Sequence, residues 1–197
     1  MAMSSDLKFR GGLVIISGPS GVGKSTICSG LVERLDDVYL SISTTTRGKG
    51  VTEEDGREYF FISKEEFFRR IKQGKFLEYA EVFGNYYGTP KGKIEEALSA
   101  GKVVILEIDI QGGTQAKRLY PEAVMIFILP PDHDKLSERM SNRGRGEDDE
   151  SARARLEGAG MEIASAFKSY DHMVINDNLD EAIEEVLEII NKSFGDK

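Results

Sequence analysis

The sequence predicts an α/β protein in which helices cover both faces of a mostly parallel β-sheet. Strand-like and helix-like segments alternate from Leu13 to the end of the chain, as they do in sheets built from consecutive βα units. Residues 103–106 and 124–129 are continuous apolar runs, which is typical of strands that are buried on both faces. A glycine-rich loop lies between the first strand and the first helix, which points to a ligand site at that edge of the sheet.

This loop matches the phosphate-loop (P-loop) pattern G-x-x-x-x-G-K-[ST] through Gly18, Pro19, Ser20, Gly21, Val22, Gly23, Lys24 and Ser25, with Thr26 following. The backbone N–H groups of such a loop point at a phosphate, at the positive end of the next helix. Lys24 is expected to reach the β- and γ-phosphates, and the Ser25 hydroxyl to ligate Mg²⁺. A glycine-rich turn could match by chance, but the flanking strand and helix disfavour that alternative. The sequence therefore predicts a P-loop NTPase-type sheet.

Composition limits the classes of partner. The chain has 197 residues, which suits one domain. It carries 26 basic and 34 acidic residues, a net charge of −8, so we expect neither nucleic-acid nor membrane binding. Cys28 is the only cysteine, which favours a reducing compartment. No apolar run near the N-terminus is long enough for a signal peptide or a membrane helix, and we expect a soluble, cytoplasmic protein.

Residues 43–90 are predicted to form a small β-rich insertion with one helix. Residues 43–56 are polar and lack apolar periodicity, so they are not expected in a core. Ser63 and Glu66 form a capping box that starts the helix, and Gly74 ends it. The other predictions for this part of the chain are strands at 38–42, 57–62 and 76–83 and a loop at 84–90.

The remaining elements follow the βα alternation. The strand at 103–109 ends in Glu107 and Asp109, and the carboxyl edge of an open α/β sheet is where ligands collect. Glu107 is therefore a candidate ligand for Mg²⁺ through water. Asn178 is predicted to cap the last helix. Further predictions are helices at 91–100, 132–140 and 151–167 and strands at 124–129 and 173–175.

Several segments together resemble the guanylate kinase family of P-loop nucleoside-monophosphate kinases. They are G-P-S-G-V-G-K-S-T, S-x-S-T-T-T-R, D-G-x-E-Y-F-F, F-L-E-Y, G-N-Y-Y-G-T-P, L-E-I-D-I-Q-G, R-x-x-x-R-G and V-I-N-D. The first is common to many NTPases, whereas F-L-E-Y followed by G-N-Y-Y-G-T and L-E-I-D-I-Q-G is far more specific. The resemblance extends from Leu13 to the final helix.

The resemblance implies the reaction ATP + GMP ⇌ ADP + GDP, by in-line transfer with Mg²⁺. The implied substrates are ATP and GMP, or dGMP, and the implied state is a monomer or a small homo-oligomer. It also implies one domain over residues 1–197 with three moving parts. These are a core (9–42, 91–138 and 156–197), a β-rich GMP-binding lobe (43–90) and a helical lid (about 139–155).

The resemblance further implies roles for single residues. Polar groups around guanine would come from Ser43, Glu78, Thr89 and Asp109. The GMP phosphate would be held by Arg47, Tyr59 and Tyr87. The phosphates of both nucleotides would be surrounded by Lys24, Arg47, Arg139, Arg143 and Arg155, as the catalytic set. Asn176 would lie near the adenine of ATP.

Chemistry supports the implied base and phosphate contacts. Guanine presents N1–H and N2–H₂ donors on one edge, so a carboxylate such as Glu78 can accept both, and adenine lacks that pair. The planar guanidinium of Arg47 matches a phosphate in a bidentate manner. Taken alone, Glu78 could equally be a solvated edge-strand carboxylate, and Arg47 an ordinary surface arginine. Tyr59 and Tyr87 could likewise simply pack.

The arginine-rich segment admits two interpretations. Arginines 139, 143, 145, 153 and 155 accompany an acidic run at 147–150. They could form a solvated, salt-bridged helix pair. They could instead supply mobile positive charge, which phosphoryl transfer needs more than covalent help, while closure excludes water.

The chain departs from the family at Gly50, where a second arginine is usual. Lys49 lies beside it and can supply charge without the fork geometry of arginine. We therefore expect Lys49 to contact the GMP phosphate. Two rival functions remain: a non-catalytic guanylate-kinase-like interaction module, which the intact P-loop disfavours, and a kinase for another nucleoside monophosphate, which Glu78 with Ser43 disfavours.

Overall fold

The main sheet has five parallel strands. The computed structural model describes residues 11–132, 134–137 and 149–195, and for 149–157 it describes the backbone alone. The strands of this sheet are β1 (Gly12–Ser17), β2 (Val38–Ser41), β7 (Val103–Glu107), β8 (Val124–Leu129) and β9 (His172–Ile175). Their order is β2-β7-β1-β8-β9, and every neighbouring pair is parallel. The predicted α/β class is confirmed.

Successive residues of the central strands pack into opposite layers. The layer on one face contains Val14 and Ile16 of β1, and the layer on the other contains Leu13 and Ile15, because side chains alternate across a strand. One layer also contains residues of α1 (Lys24–Arg34) and α6 (Leu179–Phe194). The other contains residues of α3 (Lys91–Ser99) and α4 (Ile110–Leu119). Burial on both faces explains why these strands read as unbroken apolar runs.

A second sheet has four strands in the order β4-β3-β6-β5. They are β3 (Thr44–Thr45), β4 (Phe60–Phe61), β5 (Phe76–Val82) and β6 (Asn85–Pro90), and α2 (Lys64–Lys72) packs beside them. Phe67 of α2 is fully buried and stacks on Phe76 with ring centroids 4.6 Å apart. Ser63 caps α2 as predicted, since its hydroxyl accepts the Glu66 N–H at 3.2 Å, and Gly74 follows the helix with φ 63°. The Glu66 carboxylate pairs with Arg69 and Arg70, so the reciprocal half of the predicted capping box is not formed.

Two predictions for this sheet were wrong. Residues 43–56 were expected outside any core, yet Thr44 and Thr45 are fully buried because β3 lies between β4 and β6. The Thr45 hydroxyl is paired with the Tyr86 carbonyl at 3.1 Å, which makes its burial tolerable. The predicted loop at 84–90 is strand β6, joined to β5 by a two-residue turn at Phe83 and Gly84, both with positive φ.

Other bounds differ from the predicted ones by smaller amounts. The strand expected at 57–62 is limited to β4, and helix α4 was not predicted, because Gly112 and Gly113 weaken its helical pattern. Of the helix expected at 132–140, residues 134–137 are helical and 133 and 138–140 lie outside the described residues. Asn178 caps α6 as predicted, with its side-chain oxygen accepting the Asp180 and Glu181 N–H groups at 2.9 and 3.3 Å.

A long helix, α5 (Asp149–Ser169), connects the arginine-rich segment to the main sheet. Tyr170 follows it, with its ring edge against Phe127 at a centroid distance of 5.3 Å. The Tyr170 hydroxyl donates to the Ser17 hydroxyl at 2.6 Å, so this end of the helix is held at the carboxyl end of β1. Among the described helices, none has the length and apolarity that crossing a membrane requires.

Candidate active site

A cavity of about 520 Å³ is bordered by both sheets. Its wall includes the phosphate loop, the carboxyl end of β7 and residues of β5 and β6. Among the predicted site residues, those that line it are Gly18, Ser20, Gly21, Gly23, Lys24, Ser25, Ser43, Tyr59, Glu78, Tyr87, Glu107 and Asp109. Parallel strands bring their carboxyl ends to one edge, which is why residues far apart in sequence meet here.

The phosphate loop has the backbone geometry that the motif requires. Gly18 and Gly23 have φ values of 152° and 102°, and a Cβ on Gly18 would lie 2.5 Å from the Ile128 carbonyl oxygen. Gly23 is the N-cap of α1 and supplies no side-chain cap, so the first N–H groups of the helix can bind a phosphate. The Lys24 ammonium donates to the Gly18 and Pro19 carbonyls at 2.5 and 3.0 Å, which holds it over the loop.

A hydroxyl and a carboxylate meet beside the loop. The Ser25 hydroxyl donates to Glu107 Oε1 at 2.7 Å, because β7 pairs directly with β1. Both groups line the cavity and offer oxygen atoms, the donors that Mg²⁺ prefers. Cys28, one turn further along α1, is buried, and burial raises the pKa of its thiol. It packs rather than facing the cavity.

The buried carboxylate of Glu78 lies at the far side of the cavity. Its exposed fraction is 5%, and the Thr89 hydroxyl from the adjacent strand donates to Glu78 Oε1. The pKa of Glu78 is raised to about 7, chiefly by burial and in smaller part by the charge of Asp109, while the Thr89 hydrogen bonds oppose the shift. A ligand that donates hydrogen bonds to this carboxylate would stabilise its charged form.

Asp109 and Gly112 fix the surroundings of Glu78. The Asp109 side chain accepts the Gly112 N–H at 3.0 Å and caps α4. A Cβ on Gly112 would lie 2.5 Å from Glu78 Oε2, so a glycine is needed for the carboxylate to stand there. The start of α4, which the sequence analysis missed, therefore helps to shape this end of the cavity. The glycine pair in L-E-I-D-I-Q-G-G was the available signal.

Arg47 is bonded to neighbouring residues. Its guanidinium donates to Glu53 Oε1 at 2.6 Å and to the Gly48 carbonyl at 2.8 Å. It lies 5.5 Å from the ring centroid of Tyr59, and the Tyr59 and Tyr87 rings are 5.8 Å apart. The structure thus groups the three residues expected at the GMP phosphate.

The neighbourhood of Gly50 contains an arginine that the sequence analysis did not single out. Lys49 is exposed and lies outside the residues that line the cavity, whereas Arg57 lines it. Arg57 pairs with Glu54 at 3.0 Å and with Glu58 at 2.6 Å. The Gly50 N–H donates to Glu53 Oε2 at 2.7 Å. A basic residue within D-G-x-E-Y-F-F was the signal for Arg57.

The predicted lid arginines fall outside what the structure describes. Arg139 and Arg143 lie outside the described residues, as does the side chain of Arg155. Glu162, seven residues after Arg155 on α5, lines the cavity. Burial raises the pKa of Glu162, with the Lys24 charge opposing the shift and Asp109 adding to it. Glu162 was not predicted from the sequence, because no motif surrounds it.

Asn176 lies behind the phosphate loop. Its exposed fraction is 5%, its amide nitrogen Nδ2 donates to the Val22 carbonyl at 2.8 Å, and it does not belong to the residues that line the cavity. Thr89 likewise does not line the cavity; it is fully buried and contacts Glu78, which does. Both residues act on the cavity wall through a neighbour.

Known proteins resemble this chain in sequence and in fold. The family model of guanylate kinase matches residues 10–193. The chain is 50% identical over 181 residues to a guanylate kinase of Clostridium perfringens (92% of this chain, 83% of the relative). It is 44% identical over 183 residues to one of Synechocystis (93% and 95%). The crystal structure of a guanylate kinase from Anaplasma phagocytophilum superposes with a TM-score of 0.79 at 33% identity, covering 94% of this chain and 87% of that one. With an intact P-loop facing a buried carboxylate across one cavity, and with relatives matching along nearly its whole length, this chain belongs to the guanylate kinase family.

Proposed function

We propose that this chain transfers the γ-phosphoryl group of ATP to GMP, in the reaction ATP + GMP ⇌ ADP + GDP. One observation carries the proposal: the phosphate loop and the buried carboxylate of Glu78 line the same cavity. The first group suits the polyphosphate of a donor, and the second suits the donor-rich edge of guanine. A cavity with both can hold the two substrates with their phosphates facing each other.

Guanine selection is assigned to Glu78 and its neighbours. The carboxylate accepts the N1–H and N2–H₂ donors, Thr89 orients it, and Ser43 and Asp109 complete the polar surroundings. Because burial holds the pKa of Glu78 at about 7, hydrogen bonds from guanine would stabilise its charged form. Adenine would leave a buried carboxylate without its donors, which is costly. dGMP presents the same base edge and is expected to bind as well.

Phosphate binding is assigned to basic and hydroxyl groups on both sides of the cavity. The triphosphate of ATP would lie on the loop from Gly18 to Thr26, with Lys24 neutralising charge on the transferring group. The GMP phosphate would be held by Arg47, Tyr59 and Tyr87, with Lys49 or Arg57 in addition. The lid arginines 139, 143 and 155 would add charge on closure and exclude water.

Mg²⁺ is the proposed cofactor, and the residues present fit it. Ser25 and Glu107 place a hydroxyl and a carboxylate oxygen 2.7 Å apart beside the loop. Mg²⁺ is typically bound by one or two protein oxygens, with water and substrate phosphates completing its six positions. Ser25 would hold the ion directly and Glu107 through water. The bound ion would neutralise charge on the β- and γ-phosphates.

The same assignment divides the chain into working parts. We propose a single domain in which residues 43–90 bind GMP, residues of about 139–155 close as a lid, and the rest forms the core. The acidic composition and the single cysteine support a cytoplasmic location. The proposed reaction belongs to purine nucleotide metabolism, and the proposed state is a monomer or a small homo-oligomer.

A coupled assay of ADP release tests the proposal. Purified protein is given ATP and Mg²⁺ with GMP, dGMP, AMP, CMP or UMP in turn, and again after chelation of the metal. We expect turnover with GMP and dGMP, little with the other monophosphates, and loss on chelation. A kinase for another monophosphate would show a different acceptor, and an interaction module would show no turnover with any of them.

A further inference from the structure

The side chain of Asn176 is attached to one particular peptide group of the phosphate loop. Its Nδ2 donates to the Val22 carbonyl at 2.8 Å, while its own backbone N–H donates to the Leu129 carbonyl at 2.9 Å. Asn176 therefore stands at the ends of β8 and β9, fixed by the sheet. Val22 is fully buried, so its carbonyl depends on a protein partner.

The orientation of that peptide decides where the next N–H points. A peptide group is planar and trans, so its carbonyl and its N–H point in opposite directions. The carbonyl of the Val22–Gly23 peptide is directed at Asn176, and the Gly23 N–H is therefore directed away from Asn176. Gly23 itself lines the cavity, so an N–H directed away from Asn176 can point to the side where a phosphate would bind.

This peptide has conformational freedom that must be removed. Gly23 has φ 102°, a region that glycine enters easily together with its alternatives. In the glycine-rich stretch from 18 to 23 a reversal of the Val22–Gly23 peptide would cost little by itself, and it would turn the carbonyl oxygen toward the phosphates. A Cβ on Gly23 would contact Asn176 Nδ2, so the two residues are packed tightly against each other.

We propose that Asn176 is a positioning residue for the phosphate loop, whose amide holds the Val22–Gly23 peptide with its N–H toward the triphosphate. The inference rests on the proposed function, since it concerns the donor half of that site. It differs from the role near adenine that the family resemblance implies. A residue acting through the loop affects every triphosphate donor equally, because the loop contacts no base.

The test distinguishes a role of Asn176 in positioning the phosphate loop from a role in contacting the base of ATP. Asn176→Leu keeps the branched shape and neutral charge of the side chain but removes the donor, and Asn176→Ala is a second variant in case the first does not fold. Asn178→Ala is the matched control, since it alters the same turn and removes only the cap of α6. Calorimetry measures binding of inorganic tripolyphosphate and of ATP, each with Mg²⁺ and without GMP. Thermal melting checks that each variant is folded.

We expect the Asn176 variants to bind tripolyphosphate and ATP more weakly by the same factor, about tenfold, as the loss of a buried hydrogen-bond partner entails. In a ¹⁵N spectrum the Gly23 amide should shift on adding tripolyphosphate to the parent, and shift less in the variants. The ratio of the Kd values for ATP, CTP and UTP, measured by the same calorimetry, should stay constant. The control should match the parent in all of these.

Two results would overturn the inference. If tripolyphosphate binding is unchanged while ATP binding and the ATP:CTP ratio both fall, Asn176 reads the base. If all binding is unchanged, the contact with Val22 has no role in holding the donor. Neither readout uses GMP, so a parent protein that binds tripolyphosphate but does not phosphorylate GMP would reject the proposed function and still test this inference.

Discussion

The Lys24 ammonium is held by two carbonyls of its own loop, at 2.5 and 3.0 Å. Lys24→Ala should remove phosphoryl transfer without unfolding the protein, because the charge acts on the reacting phosphoryl group. A loss of about 10²- to 10³-fold in kcat is expected for a preorganised group of this type. The measurement is steady-state turnover with thermal melting beside it. Lys93→Ala, at an exposed position of α3, is the control. Near-normal turnover of Lys24→Ala would reject the role of Lys24 in phosphoryl transfer.

The carboxylate of Glu78 should determine the choice of base. Glu78→Gln keeps the size of the side chain but replaces an acceptor oxygen by a donor, which would face a donor of guanine. We expect a loss on the order of 2 kcal/mol in GMP binding, with ATP binding unchanged. Separate calorimetric titrations with GMP and ATP measure this. If GMP binding survives and GMP is still preferred over AMP, guanine is read by other groups.

The same carboxyl group predicts a pH dependence of stability. Its folded pKa of about 7 lies above the unfolded value of about 4.3, so the folded state holds the proton more tightly. Its stabilising contribution is present below about pH 4 and is lost as the pH rises to about 7, by on the order of 3 kcal/mol. Denaturant unfolding from pH 4.5 to 8 should show the free energy of unfolding of Glu78→Gln rising relative to the parent. Parallel curves for the two proteins would contradict the raised pKa.

Arg57 and Lys49 are the two cations available to replace the arginine that the family usually carries at position 50. Arg57 lines the cavity and Lys49 does not, so Arg57→Ala should raise the KM for GMP more than Lys49→Ala does. The increase should be only several-fold, since Glu54 and Glu58 compete for the same guanidinium. GMP titrations at saturating ATP and two salt concentrations measure both variants. A larger effect of Lys49→Ala at low salt would favour the lysine as the phosphate contact.

At the scale of elements, the β5–β6 hairpin depends on a phenylalanine in an unusual conformation. Phe83 has φ 48° and Gly84 has φ 74°, the two positive values of a type I′ turn, in which Asn-Gly is preferred. Phe83 is 56% exposed, so little packing compensates for the backbone cost. Phe83→Asn should therefore raise the free energy of unfolding, by about 0.5 to 1 kcal/mol.

Thermal and denaturant unfolding of Phe83→Asn measure this change, with Phe68→Asn as a control at another exposed aromatic residue, which lies in a helix. Phe83 also lines the cavity, so the KM for GMP should be recorded in parallel. If Phe83→Asn lowers the free energy of unfolding, the packing of the phenylalanine ring stabilises the protein by more than its positive φ costs.

At the scale of the whole molecule, the sequence predicted the main sheet well and the second sheet poorly. Runs such as Val103 to Leu106 are typical of a strand covered on both faces, and their short length and β-branched residues disfavour a buried helix. Strand β3 is two residues long and made of threonines, and its burial depends on β4 and β6, which are distant in sequence. The strands of the second sheet are short, and their pairing could not be predicted without knowing which distant segments lie beside them.

The candidate site divides in the same way. The P-loop could be placed from sequence because its chemistry is local: the loop, Lys24 and Ser25 are consecutive or nearly so. Glu162 could not, since it has no motif around it and reaches the cavity only through the path of the chain in three dimensions. Asn176 was found by motif, but its contact with Val22 depends on β9 lying beside β8, which no local pattern reveals.

Helix α5 has a mechanical consequence. Its 21 residues give a rigid rod about 31 Å long, anchored at one end by Tyr170, whose ring meets Phe127 and whose hydroxyl meets Ser17. A tilt of about 10° about that anchor would move the other end by about 5 Å, given the rise of 1.5 Å per residue. Because Ala159 and Ala166 of this helix are also buried, such a tilt would move the helix as one body, and a change in the packing of Tyr170 would be transmitted to the opposite end of the helix.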